Sequence, residues 1–250
     1  MKIVDRITDI LELLSEYKAG LGVKEISINL DLPLSTTHRL LKALMENELI
    51  VQDNFSKKYK IGVKILSLSS KILNEMDIVN ISRPILDELS TKHKRLFFLS
   101  VLEHHRSICV DMVNNSDRMK FYVKLGSYMP AHCSASGKAI IAFLNDEEIE
   151  EILKEQEIEK FTNKTLMNTE DIINDLKNVK KLRYAVCDEE MEMGVRALGV
   201  PIFGRTGDIK ASITVTLMKQ FEFHEEEILE DLKIASEKIS KMLGYIDRKD

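Results

Sequence analysis

Apolar positions along the first quarter of the chain fall at helical spacing. Val4, Ile7, Leu11 and Leu14 predict an amphipathic helix over 4–17. The run KAGLG breaks it, and Val23, Ile26 and Leu30 mark a second, short helix. DLP breaks the pattern again, and Pro33 suits the first turn of a third helix running to about Asn47. Two short helices joined by a tight turn, after a preceding helix, have the layout of a helix-turn-helix. Rotation at about 100° per residue puts Thr37, Leu40, Leu41 and Leu44 on the buried face of the third helix. Ser35, Arg39, Lys42 and Glu46 project the opposite way, flanked by Thr36 and His38. Such hydroxyl, imidazole and guanidinium groups suit base edges and phosphates, although a solvated polar face would look the same.

The period then changes from helical to alternating. LIVQDNFSKKYKIG predicts a β-hairpin turning at Asp53–Ser56, with Lys57 and Lys58 near its tip. A helix-turn-helix followed by a basic hairpin is the winged-helix arrangement. From Gly62 to about Leu73 the pattern is helical but too apolar all round for a free helix, which implies packing on another copy or a bridge to a second domain. Beyond it, 78–91 reads as a helix, and RLFFLSVLE, SICVDMV and FYVKL read as strands. Helices are expected at 136–145, 146–155, 169–181 and 225–243, with YAVCDEE, ALGVPIF and IKASITVTL as further strands. Hairpin-linked strands with helices between them indicate an α+β domain with an antiparallel sheet.

Composition narrows the class. At 250 residues the chain suggests two domains, and 44% hydrophobic with 31% charged residues is ordinary for a soluble protein. No run approaches a membrane span and the N-terminus lacks a signal-peptide layout, so a cytoplasmic protein with no membrane partner is expected. The formal net charge of −5 argues against nucleic acid, but its distribution does not: segment 35–64 holds six basic and three acidic residues.

Candidate chemistry concentrates in AHCSASGKAI, residues 131–140. One reading is a nucleophile, Cys133 or Ser134, with His132 as base. Adjacent residues make poor partners for proton transfer, and no G-x-S-x-G elbow is present, so no catalytic residue is assigned. A second reading is a small-residue backbone cradle leading into a helix N-terminus, suited to an anion. A third is a thiol- or metal-responsive sensor using Cys133 and Cys187, with His132 and Asp188 as further ligands. Cys109, Cys133 and Cys187 have no metal-ligand spacing, so neither a metal nor a cofactor is assigned. Thr214 and Thr216 point to one face of a strand, either as β-formers or as hydrogen-bond donors to a ligand. Glu189 and Glu190 read as structural.

Several blocks together resemble one family. DLPLSTTHRLLKALMENELI resembles the helix-turn-helix of IclR-family bacterial transcription regulators, and YKIGVKILSL is similar to the start of their linker helix. LGSYMPAHCSASGKAIIAFL, FTNKT and CDEEMEMGVRALGVPIF follow in the order the family shows. The resemblance implies a winged helix-turn-helix, mainly α, at 1–61, a linker helix at 62–77, and a GAF-like α+β domain at 78–250 for effector binding and oligomerisation. It implies homodimers or homotetramers on palindromic double-stranded DNA operators, with repression the expected sign. Effectors in the family include 2-oxo acids, sugar-acid derivatives and aromatic acids, so a carboxylic acid is expected here. Carried across, DNA contact falls on Ser35, Thr36, His38, Arg39 and Lys42, with Lys57 and Lys58 on the wing. The effector site falls on Phe121, Met129, Ala135, Ser136, Gly137, Cys187, Val195, Ala197, Thr214 and Thr216. Two features depart from the family: the wing tip has no glycine, and Cys187 stands where relatives can have an acid.

Overall fold

The structure, a computed structural model, describes residues 3–116, 123–155 and 158–246. The chain divides into two units, Met1–Glu75 and Met76–Asp250.

The first unit contains α1 (Ile3–Glu16), α2 (Val23–Asn29), α3 (Leu34–Glu46), β1 (Ile50–Gln52), β2 (Tyr59–Ile61) and α4 (Val63–Glu75). Gly22 caps α2 by donating its N–H to Glu25 Oε2 at 2.6 Å. Pro33 sits at the cap of α3, one position before the helix, and its carbonyl accepts from Thr37 N–H at 3.0 Å. Ile10, Leu14, Ile26, Leu40, Leu41, Leu44, Ile50 and Tyr59 form the core. Each such buried side chain contributes about 1.5–3 kcal/mol, so Leu40, Leu41 and Leu44 together fix the rotation of α3 and hence which face stays outside. β1 pairs antiparallel with β2, Val51 opposite Lys60, and Tyr59 also bridges back to Leu21. The unit is a winged helix-turn-helix.

The second unit contains α5 (Asp77–His93), β3 (Leu96–Glu103), β4 (Arg106–Asn114), β5 (Tyr128–Pro130), α6 (Ala135–Ile141), α7 (Asp146–Glu155), α8 (Thr169–Leu182), β6 (Ala185–Asp188), β7 (Val195–Phe203), β8 (Ile209–Met218) and α9 (Glu225–Met242). Its six strands form one antiparallel sheet in the order β5-β4-β3-β8-β7-β6. Phe97 turns toward His93 of α5, ring centroids 5.9 Å apart, and Lys92 and His93 reach Asp231 of α9. Phe98, next along β3, therefore faces the opposite side of the sheet. There Ser212 of β8 donates to Ser136 O of α6 at 3.0 Å.

Two expectations are corrected here. FYVKL is not a strand where it is described: Phe121 and Tyr122 lie outside the described residues, Val123 and Lys124 are irregular, and the strand beside β4 is Tyr128–Pro130. The helix expected over 136–145 is shorter, Ala135–Ile141. Phe143 and Leu144 close it with N–H bonds to Ile140 O and Ile141 O, and Asn145 then caps α7 by accepting from Glu148 N–H at 2.8 Å.

Candidate functional site

On α3, Ser35, His38, Arg39 and Lys42 are exposed, Thr36 is half-buried and Thr37 is buried. The polar groups thus lie on the side away from the leucines. Lys42 lies 3.8 Å from Glu46, one turn on. In the hairpin the two lysines differ. Lys57 is exposed, whereas Lys58 is half-buried and lies 3.8 Å from Glu25 of α2. The missing tip glycine has a structural answer. Lys57 itself adopts the left-handed conformation, φ 56, and Asp53 holds the turn. Its Oδ1 accepts from the N–H groups of Phe55 and Ser56 at 3.1 and 2.7 Å and from the Ser56 hydroxyl at 2.8 Å. These bonds hold the Asp53 carboxyl below the usual carboxylate range.

In the second unit a cavity of about 130 Å³ lies between the sheet and α6. Cross-strand register builds its floor. Phe98, Thr214 and Gly199 stand opposite one another across β3, β8 and β7, and Thr216, Ala197 and Cys187 form the next row. Met129, Ala135, Ser136 and Val195 complete the part of the wall expected from the sequence. Phe98, Val123, Ser134, Met191 and Glu192 also line it and were not expected. Phe98 could have been found from strand alternation once its pairing with Thr214 was known, and the sequence does not supply that pairing. Phe121 lies outside the described residues.

Gly137 does not line the cavity. A Cβ there would lie 2.5 Å from Ala131 Cα, so the glycine serves backbone packing. Its N–H donates to Ser134 Oγ at 3.0 Å, which makes Ser134 the N-cap of α6. The cradle expected from Ala135–Gly137 is therefore partly closed by the chain's own serine. Ser136 Oγ faces inward and lies 2.9 Å from Ser107 Oγ. Gly199 admits α6 to the sheet, since a Cβ there would lie 2.4 Å from Ala135 O.

The lining is chemically sparse. Among the described residues around the cavity none is a cation, and Glu192 is the one acid. Burial pushes the Cys187 thiol up, aided by the nearby Glu190 charge, so the cavity presents a neutral thiol there. Thr214 is fully buried, and its hydroxyl has no hydrogen-bond partner among the described residues. Leaving such a group unpaired costs about 1–3 kcal/mol. A larger depression, about 380 Å³, lies beside Arg183 and Lys233, but these cations already stack over Phe203 and Tyr184.

His132, Cys133 and Ser134 do not form a reactive group. All three are buried, Ser134 donates its hydroxyl to Pro130 O at 2.6 Å, and burial pushes the Cys133 thiol far above its usual range. Among the described residues, the side chains that converge with metal-ligating geometry are His93, Glu227 and Asp231. The Lys92 ammonium lies 3.2 Å from Glu227 and 2.6 Å from Asp231, so it already occupies both carboxylates of this cluster.

Comparison with known proteins identifies both units. Residues 3–54 match the IclR helix-turn-helix domain model, and residues 70–241 match the model of the bacterial transcriptional regulator IclR C-terminal region. The HTH-type transcriptional regulator KdgR of Dickeya chrysanthemi is 27% identical over 244 residues, covering 97% of this chain and 80% of that protein. The HTH-type transcriptional repressor AllR of Escherichia coli (strain K12) is 27% identical over 213 residues, covering 85% and 79%. The fold is similar to the crystal structure of an IclR homolog complexed with 4-hydroxybenzoate from Microbacterium hydrocarbonoxydans. The TM-score is 0.83 at 20% identity, covering 97% of this chain and 99% of that one. Among the described residues no helix is long and apolar enough to cross a membrane.

Proposed function

The chain belongs to the IclR family of bacterial DNA-binding transcriptional regulators, and we propose that it is a repressor whose operator affinity is set by a small organic acid held in the second unit. The protein is a regulator and not an enzyme. In this reading the first unit docks α3 in the major groove. Ser35, Thr36, His38, Arg39 and Lys42 contact bases and phosphates, while Lys57 and Lys58 lie along the backbone. The exposed polar face of α3 and the basic hairpin support this.

The observation that carries the ligand half is the orphan hydroxyl of Thr214 in the wall of the cavity. A ligand oxygen accepting from it removes a standing penalty. Ser136 and Thr216 are further hydroxyls for the same polar end, and Phe98, Met129, Val195 and Ala197 meet an apolar end. A cavity of about 130 Å³ is well below the roughly 300–1,000 Å³ of drug-sized sites, so the ligand is small. Ser136, Thr214 and Thr216 offer hydroxyl donors to a carboxylate, and none of the described wall residues is a cation. Repression is in keeping with AllR, a relative named as a repressor.

Oligomerisation belongs to the same proposal. α4 exposes Val63, Leu66, Leu68 and Ile72, a surface suited to a second copy. A two-fold homodimer, or a tetramer built from two, would read a palindrome with half-sites one helical turn apart. A thiol-responsive alternative is disfavoured by the neutral, buried state of Cys133 and Cys187.

The experiment is a thermal-shift screen of small carboxylic acids, including 2-oxo acids and aromatic acids, on the full chain and on Thr214→Val. The proposal requires at least one acid that raises Tm of the unmodified chain and does so much less for the variant. Binding unaffected by the substitution would remove Thr214 from the site.

A further inference from the structure

Phe55 at the tip of the hairpin is 99% exposed, the most open of the large apolar side chains described. Single exposed apolar residues are common and mean nothing alone. This one differs in its support and its surroundings. Asp53 Oδ1 clamps the turn through three hydrogen bonds, one of them from Phe55's own N–H. Lys57 N–H donates to Asp53 O at 2.9 Å, and Asp53 N–H donates to Lys58 O at 2.8 Å, closing the loop beneath the ring. The phenyl group is therefore held out in water by a turn that cannot easily fold back over it. Lys57, Lys58 and Lys60 follow it within five residues, and β1, which leads to the turn, packs on α3.

From this placement we infer that Phe55 is a DNA contact, an apolar wedge that the wing inserts at a base step in the minor groove beside the site read by α3. The inference rests on the reading of the first unit as the DNA-binding unit, and adds to it a contact that is not electrostatic. Lys57, exposed two residues after the ring, supplies charge complementarity to the nucleic-acid backbone beside it. Apolar side chains inserted between base steps unstack them and bend the duplex, and a preorganised turn loses little freedom in doing so. Specificity at that step then comes from how easily the sequence deforms rather than from a hydrogen bond.

The test uses the full chain and a palindromic duplex that the unmodified protein recovers from a random-sequence library. Phe55→Ala removes the wedge without touching the core. It is expected to lower affinity about five- to a hundredfold, the range seen for losing one aromatic–base contact, and to leave the salt dependence unchanged, because no phosphate contact is lost. It also reduces the bend measured by circular permutation of the site. The chain has no tryptophan, so Phe55→Trp gives a single reporter at the wing tip. Its emission is expected to be quenched by saturating duplex and shielded from iodide. Affinity of Phe55→Ala within twofold of the unmodified chain, or unaltered emission of Phe55→Trp at saturation, overturns the inference. So does a change in oligomeric state with DNA affinity intact, which assigns the ring to a protein partner. If Arg39→Ala weakens binding while Phe55→Ala does not, the wedge alone fails. If the unmodified chain recovers no duplex, the wedge and the DNA-binding reading fail together.

Discussion

Lys138 Nζ lies 2.6 Å from Glu190 Oε1, and neither residue is more than 8% exposed. Asp175 Oδ2 lies 2.9 Å from the same ammonium, so one cation ties α6, α8 and the segment after β6 together behind the cavity. A buried pair is costly to break, because removing one partner strands the other charge. Lys138→Met is expected to cost about 3–5 kcal/mol. Lys138→Met with Glu190→Leu is expected to recover most of that loss. Urea denaturation of the three proteins measures both.

Close backbone packing holds α6 against the sheet. A Cβ on Gly199 would meet Ala135 O at 2.4 Å, and backbone cannot move aside as a side chain can. Gly199→Ala is expected to destabilise the second unit by roughly 1–3 kcal/mol and to weaken ligand binding, because Ala135 and Ser136 line the cavity. A lower urea midpoint at unchanged slope would show a loss of stability without a change in the surface exposed on unfolding.

Glu189 is expected to make the second unit sensitive to acid. Bonds from Lys164, the Gly194 N–H and Lys219 hold its carboxyl down to about 2. Its folded pKa is thus lower than the roughly 4.3 of an unfolded glutamate. The stabilisation is complete above ~4.3 and is lost as pH falls toward the folded value. Glu189→Gln should flatten the fall in urea midpoint between about pH 4.5 and 2 while leaving neutral-pH slopes alone. An unaltered pH profile would mean that these bonds do not contribute to folding.

Much of the fold was legible because burial writes a period into the chain. The leucines of α3 recur every three to four residues, and that alone fixes which of its side chains stay exposed. Thr214 and Thr216 were legible as one strand face for the same reason. The unread parts depend on partners distant in sequence. Phe98 lines the cavity only because β3 pairs with β8, and Ser107 meets Ser136 across 29 residues. Gly137 was misjudged because small residues serve backbone packing and ligand access alike. The exposure of Phe55 was not legible because an apolar residue in a hairpin turn carries no period.

Substitutions at Arg39 and Lys57 test the two kinds of DNA contact proposed for the first unit. Arg39→Ala is expected to weaken binding to the selected duplex by about 1–3 kcal/mol and to relax preference at one position. Lys57→Ala should weaken binding to all duplexes and reduce the salt slope by about one. Fluorescence anisotropy titrations at several salt concentrations distinguish them. Unchanged affinity in both variants would remove α3 and the wing from the interface.

The central claim is that occupancy of the cavity controls DNA affinity, and linkage makes it directly measurable. A ligand shifts the operator equilibrium only by its differential affinity for two states, and the coupling must be reciprocal. The decisive measurement is operator affinity with and without a saturating acid already shown to bind, repeated on Thr214→Val. The account predicts that the acid weakens operator binding about 5- to 150-fold, that operator weakens acid binding by the same factor, and that the variant shows neither effect at that acid concentration. Operator affinity that stays constant while the cavity is filled would contradict it.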